Sequence, residues 1–274
     1  MHVKNIMSRE VIGIDKDQNI HDALKLMKKH RISRLAVLNG HGRNNKKLVG
    51  IITEKDIASR LGSSKYGNLP PSHFHVSTVM STDIITVESS QTIGNAAKLM
   101  IDNKIGGIPV VDDDDLVGIV TKTDFVKTCQ GVPYTNTPIK ERMETNLMTI
   151  NSKDRLVHAR RMIIDEDLGR LLVMDEGCIE GIITAKDIAC SMISFRKVVP
   201  DKYQSARIRN LLVEDIMTQN VHTIPESATI ADASTMMVSE ECSGIPVVDN
   251  TGSAKGMITK TDIMKFIVDL EEVS

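Results

Sequence analysis

The feature that most constrains the fold is an internal repeat, because one pattern of residues occurs four times along the 274-residue chain. Four methionines mark the corresponding positions: Met7, Met80, Met143 and Met217. Thirteen residues after each methionine stands an apolar residue: Ile20, Ile93, Leu156 and Ile230. The spacing contains no gap, so the sequence predicts one structural unit copied four times, and such repeats determine the architecture of the whole chain.

Each copy shows the pattern of a strand, a helix, two further strands and a second helix. Apolar residues recur at the spacing of one helical face, at positions 20, 23, 24 and 27 and again at 93, 96, 97 and 100. Short continuous apolar runs follow at 35–38, 108–111, 171–174 and 245–248. Such runs are typical of strands covered on both faces by helices, although a buried helix is an alternative for so short a run. The sequence therefore predicts an α/β (α+β) fold of four β-α-β-β-α repeats.

The copies alternate in type, which indicates duplication of a two-repeat module. Twenty-seven residues after the marker methionine, copies one and three carry Arg34 and Arg170, whereas copies two and four carry Gly107 and Gly244. A stretch of glycine, proline and small polar residues at 129–138 is the natural boundary between the modules. The predicted repeats are 1–65, 74–130, 137–195 and 211–274, in modules 1–130 and 137–274.

Composition and charge exclude several classes of protein. The net charge of −2 and the pI near 6.5 argue against a surface devoted to nucleic acid, and no apolar run reaches the roughly 18 residues of a membrane span. The N-terminus lacks an apolar signal core, and the four cysteines are isolated, so we expect a cytoplasmic protein with reduced thiols. No nucleophile motif, phosphate loop or metal-ligand cluster occurs, so we expect neither an enzyme nor a metal site.

A repeated phrase, Gly-x-x-Thr-x-x-Asp, stands between the last strand and the last helix of every copy. Its structural interpretation is a capping box, in which the threonine and the aspartate satisfy backbone N–H groups at the helix start. Its functional interpretation is a ligand site, because a helix N-terminus attracts phosphate, a threonine hydroxyl donates to phosphate, and a carboxylate accepts from a ribose diol. The glycine would let the backbone approach closely. A cap tolerates other residues, so four identical copies favour the functional interpretation.

This phrase resembles that of the CBS (cystathionine β-synthase) domains. It reads LVGIITEKDI (48–57), LVGIVTKTDF (116–125), IEGIITAKDI (179–188) and AKGMITKTDI (254–263). The resemblance covers almost the whole chain, and the organisation is similar to that of the gamma subunits of AMP-activated protein kinase. It implies two CBS-pair (Bateman) modules with clefts for adenosine-containing ligands such as AMP, ADP, ATP or S-adenosylmethionine. It also implies a stand-alone regulatory protein that signals to a protein partner by a conformational shift, with no catalytic cofactor.

The resemblance implies roles for individual residues. The aspartates would bind the ribose: Asp56, Asp124, Asp187 and Asp262. Hydroxyls and two arginines would lie on the phosphate side: Thr53, Thr121, Thr123, Thr184, Thr259, Thr261, Arg34 and Arg170. Three first-strand threonines and two Ile-Pro pairs would line the adenine pocket: Thr86, Thr149, Thr223, Ile108, Pro109, Ile245 and Pro246. Copies one and three carry Ala36 and Leu172 in place of the proline, so the four clefts need not bind alike.

The segment 195–210 leaves a second interpretation open, because it carries five basic residues against one acidic residue. A charge run of this kind is usually a solvated face, but it is also typical of a surface that binds nucleic acid or a protein. The alternative function is therefore a scaffold or nucleic-acid-binding regulator. We favour pairing of the two modules within one chain, with a homodimer as the alternative, and we expect no membrane partner.

Overall fold

The structure is a computed structural model that describes residues 1–39, 47–61, 74–130, 135–198 and 210–273. The chain divides into two compact units, and neither is continuous in sequence. Unit 1 consists of Met1–Val11, Ile85–Leu147 and Val221–Ser274, and unit 2 consists of Ile12–Ile84 and Met148–Asn220. Unit 1 therefore holds the main strands and helices of copies two and four, and unit 2 those of copies one and three. The predicted long loop at 40–45 and residues 199–209 of the basic segment lie outside the described residues.

The strands and helices follow one another in the predicted order. Copy one contains β1 (Gly13–Asp15), α1 (Ile20–His30), β2 (Arg34–Asn39), β3 (Lys47–Thr53) and α2 (Glu54–Leu61). Copy two contains α3 (Ile93–Asp102), β4 (Gly107–Asp112), β5 (Asp115–Thr121) and α4 (Lys122–Thr128). Copy three contains β6 (Thr149–Ile150), α5 (Leu156–Asp165), β7 (Arg170–Asp175), β8 (Cys178–Thr184) and α6 (Ala185–Val198). Copy four contains β9 (Ile224–Pro225), α7 (Ile230–Ser239), β10 (Gly244–Val248), β11 (Ala254–Thr259) and α8 (Lys260–Val273).

Each copy forms its own small sheet. The first strand pairs in parallel with the second, and the second pairs antiparallel with the third. In copy two the first strand is reduced to a parallel bridge between Val87 and Val110, beside the antiparallel pair β4–β5. The mixed α/β fold of four repeats is thereby confirmed. Among the described residues, every helix is too short or too polar to cross a lipid bilayer.

Each unit has its own, largely aliphatic core. The predicted apolar face of α1 is buried in the core of unit 2, and that of α3 is buried in the core of unit 1. Met27 and Met100, at equivalent positions on these helices, have no exposed surface. Burial of a side chain of this size contributes on the order of 1.5–3 kcal/mol. The helical interpretation of both apolar patterns is confirmed.

Within each unit, one copy satisfies a helix end of the other copy. In unit 1 the Glu271 carboxylate of α8 accepts a hydrogen bond from the backbone N–H of Gly94, 3.0 Å away in the first turn of α3. In unit 2 the Arg160 guanidinium of α5 donates to the carbonyl oxygens of Ala58 (2.9 Å) and Ser59 near the end of α2. An anion at a helix N-terminus and a cation near a C-terminus each oppose the partial charge of the helix dipole. Polar contacts therefore join the copies in addition to the shared core.

A close backbone contact recurs at the glycine of every repeated phrase. In unit 1, Ser8 and Ile119 exchange two backbone hydrogen bonds of 2.9 and 3.0 Å. A Cβ placed on Gly118 would stand 2.8 Å from the Met7 sulfur and 3.0 Å from the Ser8 carbonyl oxygen. The other phrase glycines contact a methionine of their own unit in the same way: Gly50 with Met80, Gly181 with Met217, and Gly256 with Met143. These glycines therefore admit a neighbouring backbone and a methionine of the protein itself.

Replacement of Gly118 by alanine tests this contact. We expect Gly118→Ala to lower the free energy of unfolding by about 1–3 kcal/mol, because a side-chain rotation cannot relieve overpacking against a hydrogen-bonded carbonyl. Gly169→Ala is the matched control, because a Cβ there meets nothing within 4 Å. Urea denaturation of both variants and the wild type measures the difference. Equal stability of the two variants would contradict the steric role of Gly118.

Candidate ligand-binding site

The threonine and the aspartate of the repeated phrase form the same hydrogen bonds in all four copies. The threonine ends the last strand, and the aspartate is the third residue of the helix that follows. The threonine N–H donates to the aspartate Oδ2 at 2.8–2.9 Å, and the threonine hydroxyl donates to the same oxygen at 2.6–2.7 Å. The capping interpretation is confirmed. We call these the Thr–Asp turns: Thr53–Asp56, Thr121–Asp124, Thr184–Asp187 and Thr259–Asp262.

Burial, rather than the cap, distinguishes the Thr–Asp turns from an ordinary helix start. At the start of α7, Thr229 and Asp232 form the same two hydrogen bonds, of 2.9 and 2.7 Å. Asp232 is exposed, whereas Asp124 and Asp262 are only 8% and 7% exposed. The cap uses one of the two carboxylate oxygens in each case, and a carboxylate out of water is stabilised by further partners. The buried turns are therefore the better candidates for a ligand that donates hydrogen bonds.

The threonine hydroxyls of the Thr–Asp turns point at the aspartates. A hydroxyl has one proton to donate, and here that proton is used inside the turn. Donation to a phosphate by Thr53, Thr121, Thr184 or Thr259 would therefore require the hydroxyl to rotate away from the carboxylate. The phosphate-side role of these four residues stays a prediction.

Arg34 and Arg170 lie at the Thr–Asp turns of unit 2. Each begins its strand directly opposite the threonine of its own turn. Burial raises the pKa of Asp56, while hydrogen bonds from its own turn and the nearby positive charges, that of Arg34 among them, oppose the rise. In unit 1 the same strand position is occupied by Gly107 and Gly244. The structure thus places both predicted arginines opposite the threonine of their own turn, and their phosphate-side role stays a prediction.

Unit 2 also contains a half-buried acid that the sequence analysis did not identify. Burial raises the pKa of Glu54, the first residue of α2, to about 7. The charge of Lys186 opposes this shift, that of Asp187 adds to it, and that of Arg34 opposes it. Lys186 and Asp187 belong to copy three, so the turns of copies one and three influence each other electrostatically. The sequence signal for Glu54 is its place directly after the threonine of the phrase, at a position that differs between copies.

In unit 1, two lysines connect the Thr–Asp turns of copies two and four. The Lys122 ammonium donates to the Thr261 hydroxyl at 2.7 Å, and the Lys260 ammonium donates to the Thr123 hydroxyl at 2.9 Å. Thr123 and Thr261 were predicted to lie on the phosphate side, and each here accepts from the lysine of the other copy. The sequence analysis did not single out these lysines, because the contact joins residues that are far apart in the chain.

The residues predicted to surround adenine come together in part. The carbonyl oxygen of Pro109 accepts from the N–H that follows Thr86, and the pairing of β9 with β10 brings Thr223 close to Pro246. In copy three, Thr149 pairs with Leu172 instead of a proline. All three threonines are exposed.

The isoleucines of the predicted adenine wall behave differently from the threonines. Ile108 and Ile245 have no exposed surface and belong to the core of unit 1. Their side chains are therefore part of the packing, and what they offer to a ligand at the surface is limited to the strand backbone.

Two other features lie away from the Thr–Asp turns. A cavity of about 600 Å³ opens beside the start of α5 and is lined by Lys153, Asp154, Arg155, Val157, His158 and Arg161. Ion pairs of Lys153 with Glu214 and of Arg161 with Asp165 offset part of its positive charge. Over the described part of the chain, no three His, Cys, Asp or Glu side chains come together in a way that could hold a metal ion.

The chain belongs to the CBS domain family. The family matches residues 3–63, 76–131, 139–193 and 213–269, and these four stretches include all four Thr–Asp turns. The protein is similar to the uncharacterized protein MJ1225 of Methanocaldococcus jannaschii, with 26% identity over 96% of this chain and 98% of that protein. The crystal structure of MJ1225, proposed to be an archaeal homologue of g-AMPK, covers 97% of this chain and 100% of its own with a TM-score of 0.85. The resemblance to four-repeat CBS proteins is confirmed.

Two further solved structures are similar to this chain. An uncharacterized conserved protein from Pyrococcus horikoshii is 22% identical, covers 98% of this chain and 100% of its own, and shares the fold with a TM-score of 0.65. The CBS domain pair of protein MJ0100 was crystallised with 5′-methylthioadenosine and S-adenosyl-L-methionine. It is 34% identical over 47% of this chain and 98% of its own, with a TM-score of 0.41.

The raised pKa of Glu54 predicts a pH-dependent stability. The folded protein keeps this proton at pH values where the unfolded chain, with its ordinary pKa of 4.5, has lost it. The contribution of the protonated Glu54 carboxyl to the free energy of unfolding is therefore largest below pH 4.5, and it is lost as the pH rises through about 7. Relative to Glu54→Gln, we expect the wild type to lose about 1–2 kcal/mol between about pH 5 and about pH 8, a figure reduced for the partial exposure of the side chain.

Urea denaturation of both proteins at a series of pH values measures this difference. Asp56 titrates in both proteins, so its contribution cancels in the comparison. A difference between wild type and Glu54→Gln that stays constant over the whole range would show that Glu54 titrates as an ordinary surface acid.

Proposed function

We propose that this chain is a regulatory protein that binds an adenosine-containing ligand at its Thr–Asp turns and passes the signal to a protein partner. The observation that carries the proposal is the buried or half-buried carboxylate of every turn, which uses one oxygen for the helix cap and has a cationic side chain nearby. Membership of the CBS family supports a regulatory role, since CBS domains are generally regulatory and non-catalytic.

The four aspartates are assigned to the ribose. An ionised carboxylate has about four lone-pair positions, and the cap occupies two of them on Oδ2, so Oδ1 can accept from the two hydroxyls of a ribose. Hydrogen bonds to a charged acceptor are roughly twice as strong as those between neutral groups. A ligand with a free 2′,3′-diol is therefore expected to bind at Asp56, Asp124, Asp187 or Asp262.

The phosphate of a nucleotide is assigned to the cationic side of each turn. In unit 2, Arg34 and Arg170 stand across from the threonines, where a guanidinium can bind two phosphate oxygens at once. Adenine is assigned to the exposed threonines of the first strands, with Pro109 and Pro246 beside two of them. Each predicted module, 1–130 or 137–274, would then contain two Thr–Asp turns.

The ligand would act by shifting a population of conformations. A ligand that binds one arrangement of the repeats more tightly raises the population of that arrangement, and a partner that recognises it responds. AMP, ADP, ATP, S-adenosylmethionine and methylthioadenosine are the candidate ligands. None of the described residues is assigned a bond-making step.

Thermal unfolding of the nucleotide-free protein against this panel, with GTP as a base control, tests the proposal. A ligand at a hundred times its dissociation constant stabilises the protein by about 2.7 kcal/mol per site, which raises the midpoint by several degrees. We expect at least one adenosine ligand to give this shift and GTP to give none.

Aspartate variants then test the assigned site. We expect Asp262→Ala to weaken the binding of that ligand by about tenfold or more, because charge-assisted hydrogen bonds to the ribose are lost. Asp232→Ala is the matched control, because it breaks the same Thr-x-x-Asp cap at Thr229 and lies outside the proposed site. Loss of the cap costs each variant about 1 kcal/mol of stability. Equal ligand affinity in the two variants would show that the Thr259–Asp262 turn is a helix cap alone.

A further inference from the structure

Arginine and lysine alternate between two positions in the four copies. Copies one and three carry Arg34 and Arg170 at the start of the second strand, and they have no cation directly after the threonine of the turn. Copies two and four have glycine at the start of the second strand, and they carry Lys122 and Lys260 directly after the threonine. The cation is thus moved from one position to the other between the two types of copy. Every Thr–Asp turn therefore has an arginine or a lysine at one of these two positions.

The lysines of unit 1 contact the turn of the other copy. Lys260 of copy four has its ammonium 2.9 Å from the hydroxyl of Thr123, which directly precedes Asp124 of copy two. Lys122 of copy two has its ammonium 2.7 Å from the hydroxyl of Thr261, which directly precedes Asp262 of copy four. Each lysine thus contacts a hydroxyl in the turn of the other copy.

We infer that in unit 1 each lysine binds the phosphate of the nucleotide held at the other copy's turn. Lys260 serves the ligand at Asp124, and Lys122 serves the ligand at Asp262. This inference rests on the proposed adenosine-binding function and deepens it. It makes the two turns of unit 1 sites for nucleotides with at least one phosphate, completed by a residue from a second repeat.

The chemistry of the contact fits a phosphate. Each of the two hydroxyls accepts a hydrogen bond from a lysine, and a hydroxyl that accepts can still donate its own proton to an anion. A phosphate oxygen that accepts from Thr123 would therefore lie within reach of the Lys260 ammonium. Lys260 is only 8% exposed, and an ion pair is weakened less by solvent there than at the surface. Thr261 and Lys122 form the same contact, with Lys122 half-buried.

Unit 2 has its lysines one residue further along the turn: Lys55 pairs with Asp167 of copy three, and Lys186 acts on Glu54 of copy one. The positions that correspond to Lys122 and Lys260 are Glu54 and Ala185. The arginines of unit 2 begin the strand paired with their own turn. The arginines of unit 2 thus lie at the turns of their own copies, whereas Lys122 and Lys260 of unit 1 contact the turns of the other copy.

The test isolates one turn of unit 1 at a time. Asp56→Ala, Asp187→Ala and Asp262→Ala together leave the Asp124 turn, and Asp56→Ala, Asp187→Ala and Asp124→Ala together leave the Asp262 turn. Into each background we introduce Lys122→Gln, Lys260→Gln or the control Lys127→Gln, an exposed residue near the other end of α4. Isothermal titration calorimetry then measures the affinity for ATP and for adenosine.

We expect a crossed pattern. With the Asp124 turn alone, Lys260→Gln weakens ATP binding by about tenfold or more and Lys122→Gln changes it little; with the Asp262 turn alone, the two effects are exchanged. Adenosine affinity stays unchanged in every lysine variant, and Lys127→Gln matches its background. Arginine at either lysine position restores ATP binding, because the positive charge is kept.

The other outcomes separate the inference from the function on which it rests. If each lysine affects only its own turn, or if neither affects ATP binding, the crosswise assignment is wrong and adenosine binding stands. If the wild type binds no adenosine compound at all, the proposed function fails and this inference fails with it. Should a triple-aspartate background not fold, the same lysine variants in the full four-turn chain are compared by their ratio of ATP to adenosine affinity. A ratio equal to that of the wild type then overturns the inference.

Discussion

The close approach of a backbone segment to a side-chain-free position on the last strand is the contact on which the rest of each unit depends. Gly118 provides that position in copy two, and the segment with Met7 and Ser8 fills it and pairs with Ile119. The pairing holds β5 in place up to Thr121, where the Thr–Asp turn begins. The marker methionine and the phrase glycine, which are far apart in sequence, therefore form one packing contact. This contact would position the residues of the turn that a ligand contacts.

The Thr–Asp turn combines a structural and a chemical task in the same side chain. The cap fixes the carboxylate through two short hydrogen bonds before any ligand arrives, so little side-chain entropy is left to lose on binding. The exposed cap at Thr229 shows that the hydrogen bonds themselves are an ordinary way to begin a helix. What distinguishes the Thr–Asp turns from that cap is their surroundings: a buried or half-buried carboxylate, and an arginine or a lysine at the turn.

The sequence predicted the features that arise within one copy. The periodicity of residues 20–27 gave α1, the apolar runs gave the second strands, and the phrase gave the helix caps, because each depends on spacings of a few residues. The sequence did not predict the features that arise from contacts between copies. The contact of Lys122 with Thr261 and the influence of Lys186 and Asp187 on Glu54 each join residues of different copies, so the sequence spacing does not show them. The sequence shows the alternation of arginine with glycine at the start of the second strand. The lysines that follow the threonine in copies two and four gain a role only from the contact between the two turns.

Both units are assembled from stretches that are widely separated along the chain. In unit 1, Met1–Val11 pairs with a strand of copy two, and copy two shares its core with copy four. Contacts with such large sequence separation form slowly, because a long loop must close, at a cost in entropy, before the stabilising contacts form. On the ribosome, the first residues of unit 1 therefore emerge long before the strand and helix that complete their core. The polypeptide is most prone to aggregation during its own synthesis, when apolar surface destined for that core is still exposed.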